Sequence, residues 1–256
     1  MKLTSNPFTQ AIQNQDSQIG LWISLCSNYA AEAIATAGYD WVLLDMEHAP
    51  NELSTVLGQL QVFESSDATA IVRLDWNDPV KVKRLLDIGA PGLLFPMIQS
   101  VEEAQQAVAA TRYPPRGVRG VAGSTRSNAF GRISDYYQNI ENETTVLIQL
   151  ESRRALDDAL NIAMVDGVNG VFFGPADIAA DIGKIGQPLC DEVWELIRPV
   201  AQQLIAQGIP VGTLVFDADF AAQLLNEGFT FVACGSDSGL LAKSADQLLA
   251  SVKQSL

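Results

Sequence analysis

The chain has 256 residues, of which 48% are hydrophobic and 18% charged, and its formal net charge at pH 7 is −14. This composition is that of a soluble globular protein, and the length suffices for one complete α/β barrel. So negative a chain repels phosphate backbones and anionic lipid surfaces, which excludes nucleic acid and membrane partners. A small anionic substrate is still compatible with this charge, because one arginine or metal ion can reverse its sign locally.

The cysteines and the first residues bear on the compartment. Cys26, Cys190 and Cys234 are odd in number and show no CxxC spacing, which argues against a disulfide framework and a cysteine-rich zinc site. The first 20 residues are polar and lack the apolar segment of a secretory signal, and no apolar run approaches 18 residues. We therefore expect a cytoplasmic protein.

Short apolar runs alternate with amphipathic segments along the chain. Near-continuous apolar runs are typical of parallel strands that are buried on both faces. Eight strands are predicted, over residues 20–26, 41–45, 69–74, 92–98, 145–151, 170–174, 210–215 and 229–235. Eight helices are predicted, over residues 28–37, 51–63, 80–88, 101–111, 153–164, 191–207, 217–226 and 238–252. Residues 112–142 are predicted to form a long irregular loop, and loops of that length are usually functional.

This alternation predicts the fold class. Eight strand–helix units in about 250 residues most simply close into a single (β/α)8 barrel, a TIM barrel that spans residues 1–256. A doubly wound open sheet has the same local pattern and is the alternative. In a barrel, polar residues that end the strands would meet at one rim.

Polar side chains end several of the predicted strands. Asp45, Glu47 and His48 follow the second strand, and Arg73 ends the third. Gln149 and Glu151 end the fifth, and Asp177 follows the sixth. Each residue also has a plain structural interpretation, such as a surface histidine, a paired arginine or a helix cap. Because charged groups at the ends of apolar strands must be paired or bound to metal, the set as a whole indicates a functional site.

These residue types point to metal-assisted proton chemistry. Glu151 and Asp177 offer hard oxygen ligands suited to Mg²⁺ or Mn²⁺, and Arg73 offers a fixed positive fork for a carboxylate or an oxyanion. His48 is the only histidine in the chain, so any imidazole acid/base chemistry depends on it. None of the six lysines ends a strand, which disfavours a Schiff-base mechanism.

Five segments of the sequence closely resemble the HpcH/HpaI aldolase family of metal-dependent pyruvate aldolases. The resemblance extends from Phe8 to Leu249, and the DxEHAPN pattern within the first segment is nearly diagnostic. The segments are residues 41–51 (WVLLDMEHAPN), 85–90 (LLDIGA), 112–120 (RYPPRGVRG), 149–151 (QLE) and 174–177 (GPAD).

The resemblance implies a role for each residue of the predicted rim. Glu151 and Asp177 match the ligands of a divalent metal, Mg²⁺, Mn²⁺ or Co²⁺. Arg73 matches the arginine that contacts the keto oxygen of pyruvate. His48, with Asp45 behind it, matches an acid/base dyad.

The resemblance also implies substrate contacts and an assembly. Gly174 and Ala176 match positions whose N–H groups hold the pyruvate carboxylate, and Gln149 matches a position that supports the ligands or holds a water molecule. Asp87 matches a residue that the neighbouring subunit presents to the site. A homo-hexamer, built as a trimer of dimers, is implied, with a short N-terminal helix and a C-terminal helix exchanged with a neighbouring subunit.

The implied reaction is the reversible cleavage of a 2-keto-4-hydroxy acid, of the 2-keto-3-deoxy sugar acid type, through a metal-stabilised enolate. The products would be an aldehyde and pyruvate, or hydroxypyruvate in its place. Two alternatives are a lyase similar to citryl- or malyl-CoA lyases and a metabolite-binding barrel without turnover. The chain departs from the family pattern at Ala129, where many relatives carry arginine, and at Met46, where glycine is common.

Overall fold

The computed structural model describes all of residues 1–256 and contains a closed barrel of eight parallel strands in sequence order. Each strand pairs with the next along the chain, and the eighth pairs with the first. The strands are β1 (Gln18–Ile23), β2 (Trp41–Asp45), β3 (Thr69–Arg73), β4 (Gly92–Phe95), β5 (Thr145–Leu150), β6 (Gly170–Phe173), β7 (Val211–Leu214) and β8 (Phe231–Ser236). The predicted (β/α)8 barrel is thereby confirmed, and the open sheet is excluded.

Twelve α-helices surround or close the barrel. They are α1 (Pro7–Gln13), α2 (Asn28–Ala35), α3 (Leu53–Phe63), α4 (Pro79–Asp87), α5 (Val101–Thr111), α6 (Tyr136–Glu143), α7 (Arg153–Asp157), α8 (Ala159–Ala163), α9 (Pro175–Asp181), α10 (Asp191–Ala206), α11 (Ala218–Asn226) and α12 (Asp237–Gln254). None of these helices combines the length and the hydropathy needed to cross a bilayer.

The helices differ from the prediction in three places. Residues 112–142 are not wholly irregular, because α6 begins at Tyr136 within them. No side chain caps the start of α6, so the local sequence gives little sign of it, and Tyr136 is fixed instead by a contact with Arg119. The helix predicted over residues 153–164 is divided at Asp158, and α9 was not predicted.

Side chains alternate along each strand and so form two hydrophobic clusters. The larger cluster lies between the barrel and its helices. The smaller one fills the barrel and includes Leu43, Ile71, Leu147 and Phe172. Because strand side chains repeat every two residues, Asp45, Arg73 and Gln149, each two residues further along, point to the same interior at its upper end.

The two terminal helices meet very different surroundings. α1 closes the lower end of the barrel, where Phe8 and Ile12 are fully buried against Trp41 and Phe231. This confirms the expected short N-terminal helix. In α12 only Asp237 is buried, and the helix touches the rest of the chain mainly through β1 and β8.

Candidate active site

The carboxyl ends of the strands bring the predicted rim residues to one mouth of the barrel. Strand register places Asp45 directly beside Arg73, and it aligns Leu150 with Phe173, so that Glu151 follows β5 next to Gly174. His48 follows β2, and Asp177 lies in the first turn of α9 after β6. Since all strands are parallel, His48 shares this mouth with both acids.

A buried ion pair between Asp45 and Arg73 forms one wall of the site. Arg73 donates hydrogen bonds from Nε and Nη2 to the two carboxylate oxygens of Asp45, at 2.9 and 2.8 Å. The indole N–H of Trp22 also donates to Asp45 at 3.3 Å, and its ring lies 5.1 Å from the guanidinium carbon. Burial raises the pKa of Asp45, but Arg73 outweighs it and holds that pKa below the ordinary value. The guanidinium is therefore fixed in place before substrate binds.

Glu47, and not Asp45, is the carboxylate beside the imidazole. Nε2 of His48 lies 4.0 Å from Oε1 of Glu47, and the His48 side chain is 67% exposed. Asp45 reaches His48 only through the backbone N–H, at 3.5 Å, because both of its oxygens are engaged by Arg73. The structure thus differs from the expected dyad, in which Asp45 stands behind His48.

Glu47 also pairs with Arg73, so it lies between the guanidinium and the imidazole. Its Oε2 lies 2.9 Å from Nη1 of Arg73, yet this contact lacks the angles of a hydrogen bond and the oxygen has no donor. Burial raises the pKa of Glu47, and the negative charges of Asp45 and Asp177 raise it further. Arg73 and His48 act in the opposite direction, but the pKa remains above its ordinary value. Glu47 therefore lies within electrostatic reach of both Asp177 and His48.

Glu151 is the second buried acid of the site, at 4% exposure. Its carboxylate accepts a hydrogen bond from the side-chain N–H of Gln149 at 2.5 Å and another from the backbone N–H of Met97 at 2.8 Å. Burial raises the pKa of Glu151 to about 8, and the negative charges of Asp177 and Glu47 contribute to this rise. The hydrogen bond from the Met97 N–H and the charge of Arg73 lower the pKa, but by less. No lysine or arginine forms an ion pair with this buried carboxylate.

Met97 reaches Glu151 through an uncommon backbone conformation. Its φ is +57°, in the left-handed region that residues other than glycine seldom occupy. Such conformations persist at functional sites where the surroundings hold them, and here the result is an N–H aimed at the acid. Met97 was not predicted from the sequence.

The start of α9 lies on the open side of the site. Asp177 is exposed, and its side chain makes no hydrogen bond or ion pair within the chain. The N–H of Gly174 is already bonded to the Leu150 carbonyl at 3.0 Å, whereas that of Ala176 has no partner. Of the two N–H groups expected to hold a carboxylate, Ala176 is therefore the free one. Gly174 has another role, because a Cβ there would lie 2.7 Å from Cγ of Glu151.

The donor set of the site fits a divalent cation that keeps open positions. No three acidic, histidine or cysteine side chains form a complete cage, so Glu151 and Asp177 would be the two ligands from the chain. Four carboxylates face one arginine here, and a cation would offset that excess of negative charge. Two buried oxygens, Oε2 of Glu47 and Oε1 of Gln149, accept no hydrogen bond within the chain. Water molecules bound to the cation would donate hydrogen bonds to them.

Asp87 lies away from this mouth within the chain. It ends α4, at the other end of the barrel, and accepts a 3.0 Å hydrogen bond from Arg119. It is therefore no part of the site formed by its own subunit.

The sequence placed Glu47 at the rim without a chemical role, and it did not single out Trp22 or Met97. Glu47 carried a signal, since it stands between Asp45 and His48 after a strand. Trp22 reads as an ordinary core residue within an apolar run, and Met97 acts through its backbone. Neither of these two contributions can be recognised without the fold.

Comparison with known proteins shows which family the chain resembles. The sequence pattern of the HpcH/HpaI aldolase/citrate lyase family matches residues 18–244. A 4-hydroxy-2-oxo-heptane-1,7-dioate aldolase of Klebsiella pneumoniae is 47% identical over 247 residues, which are 96% of this chain and 93% of that protein. A pyruvate aldolase of Rhizobium etli is 48% identical and covers 98% of both chains.

A solved structure gives the same result. An HpcH/HpaI aldolase/citrate lyase family protein from Burkholderia cenocepacia superposes with a TM-score of 0.94, at 37% identity, over 97% of this chain and 100% of the other. Together with the aldolase relatives, the family match shows that this barrel is an enzyme that makes or breaks carbon–carbon bonds. The chain belongs to the HpcH/HpaI aldolase/citrate lyase family.

Proposed function

We propose that this protein is a divalent-metal-dependent aldolase that reversibly cleaves a 2-keto-4-hydroxy acid into an aldehyde and pyruvate or hydroxypyruvate. The observation that carries the proposal is a buried carboxylate, Glu151, that lacks a cationic partner and lies within electrostatic reach of Asp177 and Arg73, at the same mouth as the only imidazole. The relatives named as aldolases, at 47% and 48% identity, support the same reaction class.

Glu151 and Asp177 would hold the metal ion. When bound, Mg²⁺, Mn²⁺ or Co²⁺ would polarise the keto group and stabilise the enolate that cleavage produces. Gln149 fixes the carboxylate of Glu151, and its unpaired amide oxygen can accept a hydrogen bond from bound water. The Ala176 N–H is free to bind the carboxylate of the substrate.

Arg73 would bind the keto oxygen. A guanidinium has five N–H donors, and only two of those of Arg73 form hydrogen bonds, both to Asp45. Its Nη1 faces Glu47 without a hydrogen bond, so donors remain for an oxygen that gains negative charge. Asp45 and Trp22 would hold the guanidinium while this occurs.

His48 would act on the C4 hydroxyl. During cleavage its imidazole takes the hydroxyl proton as the C3–C4 bond breaks, and during condensation it returns that proton. Its exposure leaves room for substrate, and Glu47, at 4.0 Å, can stabilise the imidazolium. Glu47 thus takes the supporting role that the sequence suggested for Asp45.

A retro-aldol assay with matched variants tests the proposal. Pyruvate release is measured from 4-hydroxy-2-oxoheptanedioate and from 2-keto-3-deoxy sugar acids, with Mg²⁺, Mn²⁺ or Co²⁺. Asp177→Asn should abolish release, whereas Asp181→Asn, on the same helix but paired with Arg153 at the surface, should not. Absence of pyruvate release from every substrate would favour a binding barrel and refute the proposal.

A coenzyme A-dependent lyase finds less support. Such an enzyme needs cations for the phosphates of the cofactor. Two cations that follow β5 and β6, Arg153 at the start of α7 and Lys184 after α9, are already paired with Asp181 and Glu192. The same assay, run with a citryl- or malyl-CoA substrate, separates the two reactions.

We also propose a homo-hexamer in the cytoplasm, arranged as a trimer of dimers, in which α12 packs on a neighbouring subunit. The support is an unpartnered apolar surface on this helix, formed by Leu240, Leu241, Leu248, Leu249 and Val252, which are 44–69% exposed. Leu248→Glu should reduce the mass measured by light scattering, whereas Asp246→Lys should not. An unchanged mass in the first variant would contradict the exchange. Asp87 of one subunit would then face the site of another.

A further inference from the structure

The loop of residues 46–50, which follows β2, carries Glu47 and His48 and contains no helix or strand. The imidazole of His48 forms no hydrogen bond within the chain, and its contact with Glu47 is a loose one at 4.0 Å. Side-chain contacts therefore do little to fix the imidazole. Its position depends on the backbone of the loop.

Asn51 joins the two ends of this loop. Its side-chain N–H donates to the backbone carbonyl of Asp45 at 2.8 Å, six residues earlier in the chain, and Asn51 is buried. Asp45 is itself held by two hydrogen bonds from Arg73. The contact thus fastens the far end of the loop to the buried wall of the active site.

Gln59, on α3, sets which way the amide of Asn51 faces. A backbone carbonyl can only accept a hydrogen bond, so Asn51 must turn its NH₂ group toward Asp45 and its oxygen toward α3. The side-chain NH₂ of Gln59 donates to that oxygen at 2.7 Å. If the Asn51 amide were reversed, two NH₂ groups would face each other.

The hydroxyl of Thr55 cannot fully replace Gln59 in this role. It lies 3.0 Å from the same Asn51 oxygen and 2.8 Å from the Glu52 carbonyl, and it has one proton for these two acceptors. Gln59 has two N–H groups, one for Asn51 and one for the Thr55 carbonyl at 3.3 Å. Gln59 is therefore the donor that is committed to Asn51.

The same arrangement leaves the other end of the Gln59 amide without a partner. Oε1 of Gln59 accepts no hydrogen bond within the chain, although the residue is 0% exposed. A buried polar atom without a partner lowers stability, whereas an apolar side chain of similar size does not incur this loss. Packing alone would be served better by leucine, so the contact with Asn51 is what explains an amide at this position.

We propose that Asn51 and Gln59 are positioning residues of the active site, which act through the loop they hold without contact with the reacting atoms. Gln59 orients Asn51, Asn51 fastens the loop to Asp45, and the loop keeps His48 at the C4 hydroxyl. A displacement of about 1 Å near the chemistry can cost about 10²-fold in rate. The task assigned to His48 rests on the proposed function, whereas the hold on the loop does not.

Gln59→Leu tests the proposal, with Gln61→Leu, at an exposed position of the same helix, as the matched control. Gln59→Leu should lower kcat for pyruvate release at least about tenfold, while the dissociation constants of Mn²⁺ and pyruvate change less than about twofold. The midpoint of urea unfolding should not fall, because the unpaired oxygen is removed as well. A kcat within about twofold of the wild type, or a lower kcat accompanied by a lower midpoint, would refute the positioning role.

Hydrogen exchange measures the hold on the loop without turnover. The N–H of Glu47 donates to the carboxylate of Asp45 at 3.0 Å, and in Gln59→Leu it should exchange at least about threefold faster than in Gln61→Leu. Equal exchange would overturn the proposal. If the wild type releases no pyruvate, the proposed function fails, and exchange alone then decides whether Gln59 holds the loop.

A double variant tests whether the two residues act in series. Asn51→Ala should also lower kcat, and adding Gln59→Leu to it should cause no further loss, because the orienting contact has already been removed. Losses that multiply would show that Gln59 acts by another route. If Asn51→Ala does not fold, Gln59→Leu and the exchange measurement decide the matter.

Discussion

The role of Asp45 is best tested with Asp45→Asn, which keeps the shape of the side chain and removes its charge. Asp45 accepts two hydrogen bonds from Arg73, and both residues are buried, at 2% and 6% exposure. Removing one partner of a buried ion pair costs about 3–5 kcal/mol. Because the amide oxygen still accepts one N–H, and Glu47 stays 2.9 Å from Nη1, we expect about 3 kcal/mol.

This loss should depend on pH in a definite direction. Arg73 holds the pKa of Asp45 below its ordinary value, despite burial, so the carboxylate stabilises the folded state above about pH 4. That contribution is lost as the pH falls through the folded pKa. The difference in unfolding free energy between wild type and variant should therefore be constant from pH 7 to about 5 and narrow below about 4.

Urea unfolding measures both effects, and the protomer concentration is held fixed because the proposed assembly would make stability depend on it. Asp181→Asn is the control, since its exposed pair with Arg153 should contribute about 1 kcal/mol or less. Displacement of Arg73 should also lower kcat/KM by about 10²-fold. A difference in stability below about 1 kcal/mol at pH 7, or one that does not change with pH, would refute the assigned role.

Three further predictions concern the active site. His48→Ala should reduce aldolase turnover by about 10²–10⁴-fold while Mn²⁺ and pyruvate still bind, and unchanged turnover would make His48 a surface histidine. A chelator should abolish pyruvate release, and Mg²⁺, Mn²⁺ or Co²⁺ should restore it. Borohydride added with pyruvate should not inactivate the enzyme, and a trapped lysine adduct would exclude this mechanism. Gly174→Ala places a Cβ 2.7 Å from Cγ of Glu151, so the affinity for Mn²⁺, measured by calorimetry, should fall about 10–100-fold. An unaltered affinity would show that Glu151 is not a metal ligand.

The fold was predictable because its signal is local and repeated. Each buried parallel strand must be apolar on both faces, and each helix must cover it with one apolar side, so the alternation is written in the sequence. α6 escaped prediction because it is held by a contact between Tyr136 and Arg119, whose positions in the chain are 17 residues apart. α9 escaped it because a helix of seven residues, opened by Pro175, leaves only a short pattern.

Which residues meet at the rim was also predictable, because the carboxyl ends of parallel strands share one mouth. The partners of those residues were not. The sequence placed Asp45 behind His48, whereas the register of β2 against β3 sets Asp45 opposite Arg73 and leaves Glu47 beside the imidazole. Adjacency along the chain indicates which end of a strand a side chain occupies, but not which neighbour it faces.

The sequence by itself determined the barrel, the mouth that holds the candidate site, and the set of acids, arginine and histidine found there. Tertiary structure alone decided the pairing of Asp45 with Arg73, the backbone N–H that Met97 aims at Glu151, and the buried amide of Gln59 with its unpaired oxygen. Strand and helix periodicity is a property of neighbouring residues. Hydrogen-bond pairing instead depends on how segments distant in the chain are placed relative to one another, to within a few tenths of an ångström.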